Sequence, residues 1–161
     1  MHYLIDGYNF LFACIDSKKD LRSQRQTVIA DLQQKFATLD LEGTIVFDGS
    51  QPRGEQSGLS YKSPLIIAYS FAGETADQYI IEKIEGCARP SELTLVTNDK
   101  MLSFTAKNHK AHVMEIKTFL RFLEKKHARR QDPDQKLTEE TTWDFNRLLK
   151  IFEERDSKES D

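Results

Sequence analysis

Short apolar runs and amphipathic segments alternate along the first 130 residues of the chain. Five runs of apolar, β-branched or aromatic residues predict buried strands, at residues 2–5, 44–47, 64–71, 93–96 and 112–116. The first two end at the turn-forming pairs Asp6-Gly7 and Asp48-Gly49. The pattern therefore predicts strands that recur at intervals, with other elements between them.

Helical periodicity fills most of these intervals. Apolar residues return every three or four positions from 24 to 39, which predicts an amphipathic helix. Thr75 followed by Gln78 matches a capping box and predicts the start of a second helix. Two more helices are predicted at 100–108 and 117–129. Because parallel strands need crossover connections, the alternation predicts an α/β fold, a three-layer sandwich around a central parallel sheet.

Two segments differ from this alternation. Residues 49–63 contain three glycines and no apolar period, which predicts a mobile loop. Residues 131–135 indicate a linker, and an apolar stripe in 137–155 predicts a last amphipathic helix before a frayed tail. We therefore expect one domain over residues 1–130 and a helical extension over residues 131–161.

Composition limits the class of protein. A chain of 161 residues has room for one full core, and 39% hydrophobic with 30% charged residues is typical of a globular domain. Cys14 and Cys87 lack a CxxC spacing, which argues against a disulfide scaffold and a cysteine zinc site. The sequence contains no signal-peptide core and no apolar run of membrane-spanning length, so we expect a cytoplasmic protein without membrane contact.

The net charge of −3 conceals an uneven distribution. Residues 1–99 carry 9 basic and 14 acidic side chains, residues 100–130 carry 9 and 2, and residues 131–161 carry 5 and 10. A basic block between acidic segments is a candidate face for binding a polyanion, although a lysine-rich helix face is often simply solvated. The cations available for RNA are Arg53 and Lys62 in the loop and, in the block, Lys100, Lys107, Lys110, Lys117, Arg121, Lys125, Lys126, Arg129 and Arg130.

Acidic side chains follow four successive predicted strands. They are Asp6, Asp48, the pair Glu74 and Asp77, and Asp99. In open α/β sheets, ligands bind at the carboxyl ends of the strands, where residues distant in sequence converge. Carboxylates gathered there repel one another unless a cation neutralises them, and hard oxygen ligands favour Mg²⁺ or Mn²⁺. The sequence therefore predicts a divalent-metal site.

Each acid also has an ordinary structural interpretation. Asp6 and Asp48 precede glycines as turn formers do, Asp77 lies in a first helical turn, and Asp99 suits a helix cap. The joint occurrence of acids at four strand ends favours a shared site. Asp48 remains the best candidate for a residue that only forms a turn.

Three segments resemble motifs of a known family. LIDGYNFL at 4–11, ETADQYIIEKI at 74–84 and LVTNDKML at 95–102 are similar to the motifs of YacP-like NYN domains, a bacterial branch of the PIN-like metal-dependent ribonucleases. The resemblance covers residues 1–130. It implies a PIN-like sheet with strand order 3-2-1-4-5 and endoribonuclease activity that uses Mg²⁺ or Mn²⁺.

The same resemblance implies roles for individual residues. Asp6, Asp77 and Asp99 are implied as the catalytic, metal-binding acids, with Glu74 assisting. Asn9 is implied as a catalytic polar residue near the metal or the scissile phosphate, and Asn98 matches a second such position. Many PIN domains carry one further acid before the second motif, which this chain supplies only if Glu74 takes that place, so the number of metal ions stays open.

The expected reaction is hydrolysis of RNA, including single-stranded or ribosome-bound mRNA, by a metal-activated water. The resemblance implies products with 5′-phosphate and 3′-hydroxyl ends, because water and not the ribose 2′-hydroxyl attacks. Asn9 and Thr97 are candidates to orient that water or a non-bridging phosphate oxygen by hydrogen bonding. Tyr8 and Tyr61 are candidates to stack on unpaired bases.

Other functions compete with this one. The nearest is an RNA- or ribosome-binding adaptor that keeps the fold and does not cut, and another is a toxin-like nuclease whose protein partner binds the last helix. A phosphoacceptor receiver domain would need Thr97 and Lys117 in its conserved positions but also paired acids after the first strand, where only Asp6 stands. A haloacid-dehalogenase-type phosphatase requires a second Asp at the position of Tyr8.

Overall fold

The chain is represented by a computed structural model that describes residues 1–14, 20–51 and 64–130 together with Lys150. Most of the predicted loop, with Arg53, Tyr61 and Lys62, lies outside the described residues. The predicted linker, last helix and tail lie outside them as well, apart from Lys150. The division of the chain at residue 130 therefore stays a prediction.

The described residues form five strands, five α-helices and one short 3₁₀ turn. In chain order they are β1 (His2–Asp6), α1 (Gly7–Cys14), α2 (Leu21–Leu39), β2 (Glu42–Gln51), β3 (Leu65–Phe71), α3 (Ala76–Glu85), a 3₁₀ turn (Pro90–Glu92), β4 (Leu93–Val96), α4 (Lys100–Asn108), β5 (His112–Met114) and α5 (Ile116–Arg130). No helix in the described segments is both long and apolar enough to cross a membrane.

The five strands form one parallel sheet in the order β3-β2-β1-β4-β5. Leu4 of β1 lies opposite Thr44 of β2 and Leu95 of β4, which places β1 at the centre of the sheet. The carboxyl ends of these strands therefore meet at one edge of the sheet. The predicted α/β class and the strand order implied by the resemblance are both confirmed.

Each face of the sheet carries its own hydrophobic core. Ile5 of β1 packs with Phe10, Phe36 and Phe119, from α1, α2 and α5, whereas its neighbour Leu4 packs on the opposite face with residues of α3 and α4. Successive strand residues point to opposite faces, so a strand covered on both sides is apolar throughout. This is why the strands appear in the sequence as continuous apolar runs.

Helix α1 was not predicted from the sequence. Asp6-Gly7 was expected to form a turn, but Gly7 begins a helix directly after the strand. A Cβ atom on Gly7 would lie 2.5 Å from the carbonyl oxygen of Val46 and 2.7 Å from the ring of Phe47. The glycine is therefore required by close approach of β2, a contact that a turn-forming pair in the sequence does not reveal.

Several predicted boundaries were also wrong. β2 continues to Gln51, so residues 49–51, expected in the loop, belong to a strand that shifts its register on β3 after Phe47. Asp20 caps α2, whose first residue is Leu21, because its carboxylate accepts a hydrogen bond from the backbone N–H of Ser23 at 3.0 Å. β5 is shorter than expected, because α5 already begins at Ile116.

Candidate active site

Asp6 ends the central strand and lies at the carboxyl edge of the sheet. It is only 7% exposed, and its Oδ2 accepts a hydrogen bond from the Thr97 hydroxyl at 2.9 Å. Burial raises the pKa of Asp6 from 3.8 to about 6, and the negative charges of Asp77 and Asp99 act in the same direction. Hydrogen bonds from Thr97 and from the backbone of Asn9 oppose this rise. Asp6 is thus a buried carboxyl group surrounded by other carboxylates.

Asp77 reaches the same region from α3. The predicted capping box is present: Thr75 accepts from the N–H of Gln78, whose side chain accepts in turn from the N–H of Thr75. This cap starts the helix so that Asp77 lies in its first turn. Partial burial raises the pKa of Asp77, and the charges of Asp99 and Asp48 add to the effect. Carboxylates from four parts of the chain therefore influence one another.

Asp99 and Asp48 also have structural duties. Oδ1 of Asp99 accepts a hydrogen bond from the N–H of Leu102 at 2.9 Å and caps α4. Oδ1 of Asp48 accepts from the N–H of Ala76 at 2.6 Å and so joins β2 to the start of α3. The helix-cap interpretation of Asp99 is correct, but each carboxylate has a second oxygen. The turn proposed for Asp48 is wrong, because this residue lies within β2.

Thr97 is the residue that joins the acids. Its fully buried hydroxyl donates to Asp6, and its oxygen accepts from the backbone N–H of Asp99 at 3.1 Å. The Oδ1 atom of Asn9 lies 3.2 Å from the same hydroxyl and accepts from the N–H of Asn98 at 2.7 Å. Thr97 therefore links Asp6, Asn9 and Asp99, and its expected role in orienting a water or a phosphate oxygen stays a prediction.

The two asparagines from the motifs differ in position. Because Oδ1 of Asn9 accepts a hydrogen bond from the backbone N–H of Asn98, its amide NH₂ group keeps its capacity to donate. The Oδ1 of Asn98 accepts from the N–H of Ile116 at 3.0 Å and caps α5. Glu74 is half-buried in the turn before α3, where its backbone oxygen accepts from the hydroxyl of Ser70. A ligand role for Glu74 stays a prediction.

The carboxylates suit a hydrated hard cation. Among the described residues, no three His, Cys, Asp or Glu side chains already enclose a metal position. Asp6, Asp77 and Asp99 nevertheless act on one another electrostatically, and their oxygen atoms are the ligands that Mg²⁺ and Mn²⁺ prefer. Mg²⁺ usually keeps several waters and takes only one or two carboxylates from the protein. The donor set therefore fits such an ion.

The basic block is divided between two faces of the sheet. Lys100 and Lys107 are exposed on α4, which packs on one face. Arg121 and Lys125 are exposed on α5, on the other face, where they line a groove of about 750 Å³ together with Phe122. The sequence predicted a single polyanion-binding face. The structure instead divides these basic residues between two separate surfaces.

The helices that follow β1 and β4 carry exposed or half-buried aromatic residues, only one of which the sequence pointed to. Tyr8, a predicted stacking residue, lies half-buried in the first turn of α1, where its ring meets Phe47 edge-on at 5.2 Å. Phe12 stacks on Tyr8, and Phe104 is exposed on α4. Sequence reasoning named neither phenylalanine. Phe12 follows Tyr8 by four residues, and Phe104 follows Lys100 by four. These spacings put each pair on one face only if both segments are helices.

Comparisons with known proteins agree with this fold. Crystal structures of Rae1 (YacP) from Bacillus subtilis are similar at 19% sequence identity. A point mutant gives a TM-score of 0.62 over 80% of this chain and 77% of that one. A second structure gives 0.55 over 98% and 84%. No curated protein matches. The model of the family described as the YacP-like NYN domain matches residues 3–158, and the chain therefore belongs to that family.

Proposed function

We propose that this chain is a divalent-metal-dependent endoribonuclease that hydrolyses phosphodiester bonds in RNA. Membership in the YacP-like NYN family, a family of PIN-like nucleases, supports a nuclease and RNA-related role. The observation that carries the metal dependence is the convergence of Asp6, Asp77 and Asp99 on one edge of a parallel sheet. That edge is where open α/β sheets bind ligands.

Asp6, Asp77 and Asp99 would hold Mg²⁺ or Mn²⁺, with Glu74 assisting. When bound, the ion supplies a water of lowered pKa and offsets negative charge on the reacting phosphate. The protein contributes the geometry. Thr97 keeps the Oδ2 of Asp6 in place and holds the backbone of Asp99 beside it, so the two acids cannot move independently.

Asn9 would bind the substrate near the reacting phosphate. Its carbonyl oxygen is held by the N–H of Asn98, which directs the amide NH₂ group of the same side chain as a donor. A fixed donor of this kind can hydrogen-bond a non-bridging phosphate oxygen and stabilise developing charge there. Asn98 holds the start of α5 through its Oδ1, and its implied role near the phosphate remains a proposal.

The substrate needs cations because the carboxylates repel a polyanion. Lys100 directly follows Asp99, and Lys107 lies two turns further along α4. Arg121 and Lys125 would contact RNA that leaves the site across α5. Each phosphate that such a residue neutralises releases condensed counterions, which favours binding and makes the affinity depend on salt. The predicted contacts of Arg53 and Lys62 remain proposals for residues beyond the described part.

Cleavage of an end-labelled single-stranded RNA in the presence of Mn²⁺ tests the function. We expect Asp6→Asn, Asp77→Asn and Asp99→Asn to lose cleavage while still folding. Asp40→Asn is the matched control, because Asp40 lies at the amino edge of the sheet with a φ of 55°, a conformation that Asn adopts readily. Products with 5′-phosphate ends would identify water as the nucleophile.

The alternative is an RNA- or ribosome-binding adaptor with the same fold. It is favoured by the lack, among the described residues, of a preassembled trio of ligands, and by the helix-capping roles of Asp48 and Asp99. An adaptor would bind RNA without cutting it under any divalent ion. If the wild-type protein behaves in this way, the nuclease proposal fails and the adaptor replaces it.

A further inference from the structure

We propose that Phe104 and Phe12 are base-stacking residues that hold unpaired RNA across the carboxylate edge, one on each face of the sheet. The inference rests on the proposed function, because the RNA would lie over Asp6 and Asp99. It adds the path of the strand and restricts the substrate to single-stranded segments.

Phe104 stands at the centre of the exposed face of α4. Its side chain is 62% exposed, whereas Leu102 and Ala106 bury the opposite side of the helix in the core. Lys100 and Lys107 are spaced four and three residues from Phe104, so all three side chains share one face. The helix begins directly after Asp99, which places Phe104 about 7.5 Å from it along the helix axis.

This arrangement suits single-stranded nucleic acid. Such proteins combine cations that follow the phosphate backbone with aromatic rings on which the bases stack. An exposed ring between two lysines supplies both, whereas core packing of α4 is already complete through Leu102 and Ala106. The fold therefore gives no packing reason for Phe104 to be aromatic.

Phe12 forms a second platform on α1. It is 52% exposed and stacks on Tyr8 with ring centroids 6.0 Å apart and an angle of 25° between the planes. The ring of Tyr8 packs edge-on against the ring of Phe47, and its hydroxyl lies 3.5 Å from Nη1 of Arg25. The platform is thus held by its neighbours, and Arg25 places a cation beside it. Phe12 lies about 9 Å along α1 from Asp6.

The two platforms flank the carboxylates. α1 packs on the same face as α2 and α5, and α4 packs on the opposite face with α3. Both helices begin at the carboxyl edge, and the strands that precede them, β1 and β4, are direct neighbours. A strand that stacks on both rings must cross the edge over Asp6 and Asp99. Bases in a duplex are already paired and stacked on each other, so only unpaired RNA can make both contacts.

Binding of a fluorescent single-stranded RNA and of its duplex tests this path. Measurements in Ca²⁺ and in EDTA would use the full chain with Phe104→Ala, Phe12→Ala and the control Met101→Ala, since Met101 is 74% exposed on the same helix. Loss of one stacked base is expected to weaken single-strand binding about five- to 150-fold and to leave duplex binding unchanged. Met101→Ala should change affinity less than about twofold.

Two further measurements separate stacking from charge. Phe104→Trp should restore the binding that Phe104→Ala loses, and the fluorescence of 2-aminopurine in the RNA should be quenched by wild type and less by the Ala variants. In a salt titration, Lys107→Gln should reduce the slope of log K against log[salt] by about 0.7, whereas Phe104→Ala should leave it unchanged.

The proposal is overturned if both Ala variants bind single strands as wild type does, if duplex binding falls equally, or if wild type binds no single strand. A change in oligomeric state instead of RNA affinity would also overturn it and mark these rings as a protein interface. Cleavage reports separately on the proposed function. If wild type cuts RNA and the Phe→Ala variants bind RNA as wild type does, only the stacking proposal fails. If wild type binds RNA by stacking but does not cut it, only the nuclease proposal fails.

Discussion

Replacing Asp6 by Asn is expected to stabilise the metal-free protein at neutral pH. Asp6 is almost fully buried, and burial together with the charges of Asp77 and Asp99 raises its pKa to about 6. Asn has nearly the same shape, and its oxygen can still accept a hydrogen bond from the hydroxyl of Thr97. The substitution therefore removes a buried charge and keeps the packing.

The size of the effect follows from the pKa. A carboxyl group whose pKa is 3.8 when unfolded and about 6 when folded lowers the free energy of unfolding by about 3 kcal/mol once it is ionised in both states. Below about pH 3 both states are protonated and the cost is absent. Between about pH 4 and 6 the folded state keeps a proton that the unfolded state has lost, so stability falls as pH rises. Asn has no such dependence.

Urea unfolding in EDTA measures this difference for wild type, Asp6→Asn and the control Asp40→Asn. Asp6→Asn should exceed wild type by about 3 kcal/mol near pH 7.5 and by only about 0.5 kcal/mol near pH 4. Adding Mg²⁺ should stabilise wild type, by about 2.7 kcal/mol at one hundred times its dissociation constant, and stabilise Asp6→Asn much less. Asp40→Asn should follow wild type in both experiments.

Two results would refute the reasoning. If Asp6→Asn is destabilised equally at both pH values, the buried charge costs nothing and Asp6 is a structural hydrogen-bond acceptor. If Mg²⁺ stabilises wild type and Asp6→Asn equally, Asp6 is not a ligand of the ion.

Substitutions at three further positions test the surrounding structure. Thr97→Val should lower the free energy of unfolding by about 1–3 kcal/mol and reduce cleavage, because it removes the hydroxyl that donates to Asp6. Thr97→Ser keeps that hydroxyl and should retain wild-type stability and cleavage. Urea unfolding and a cleavage assay measure these effects. Gly7→Ala should cost about 1–3 kcal/mol or more because its Cβ meets β2, and a thermal melt with near-wild-type stability would contradict the close approach to Phe47. Phe119→Ala should cost about 3–5 kcal/mol in the same assay, since its ring is fully buried.

Local patterns were sufficient for most elements of the fold. The strands are covered on both faces, so their apolar runs are visible in the sequence, and Thr75 with Gln78 forms the predicted cap because capping involves only neighbouring residues. α1 was missed because the reason for Gly7 is the carbonyl oxygen of Val46, which is distant in the sequence. A turn-forming pair and a close-approach glycine look identical until the neighbouring strand is placed.

The sequence by itself determined which acids follow the strands and that a basic block follows them. Only the tertiary structure decided how they are used: Thr97 donates to Asp6 across 91 positions, and Asp48 caps α3 instead of forming a turn. It also divided the basic block, because α4 and α5 pack on opposite faces of the sheet. The physical reason is that periodicity reports the environment of each segment separately. Contacts between segments follow from the strand order and from which face each helix covers.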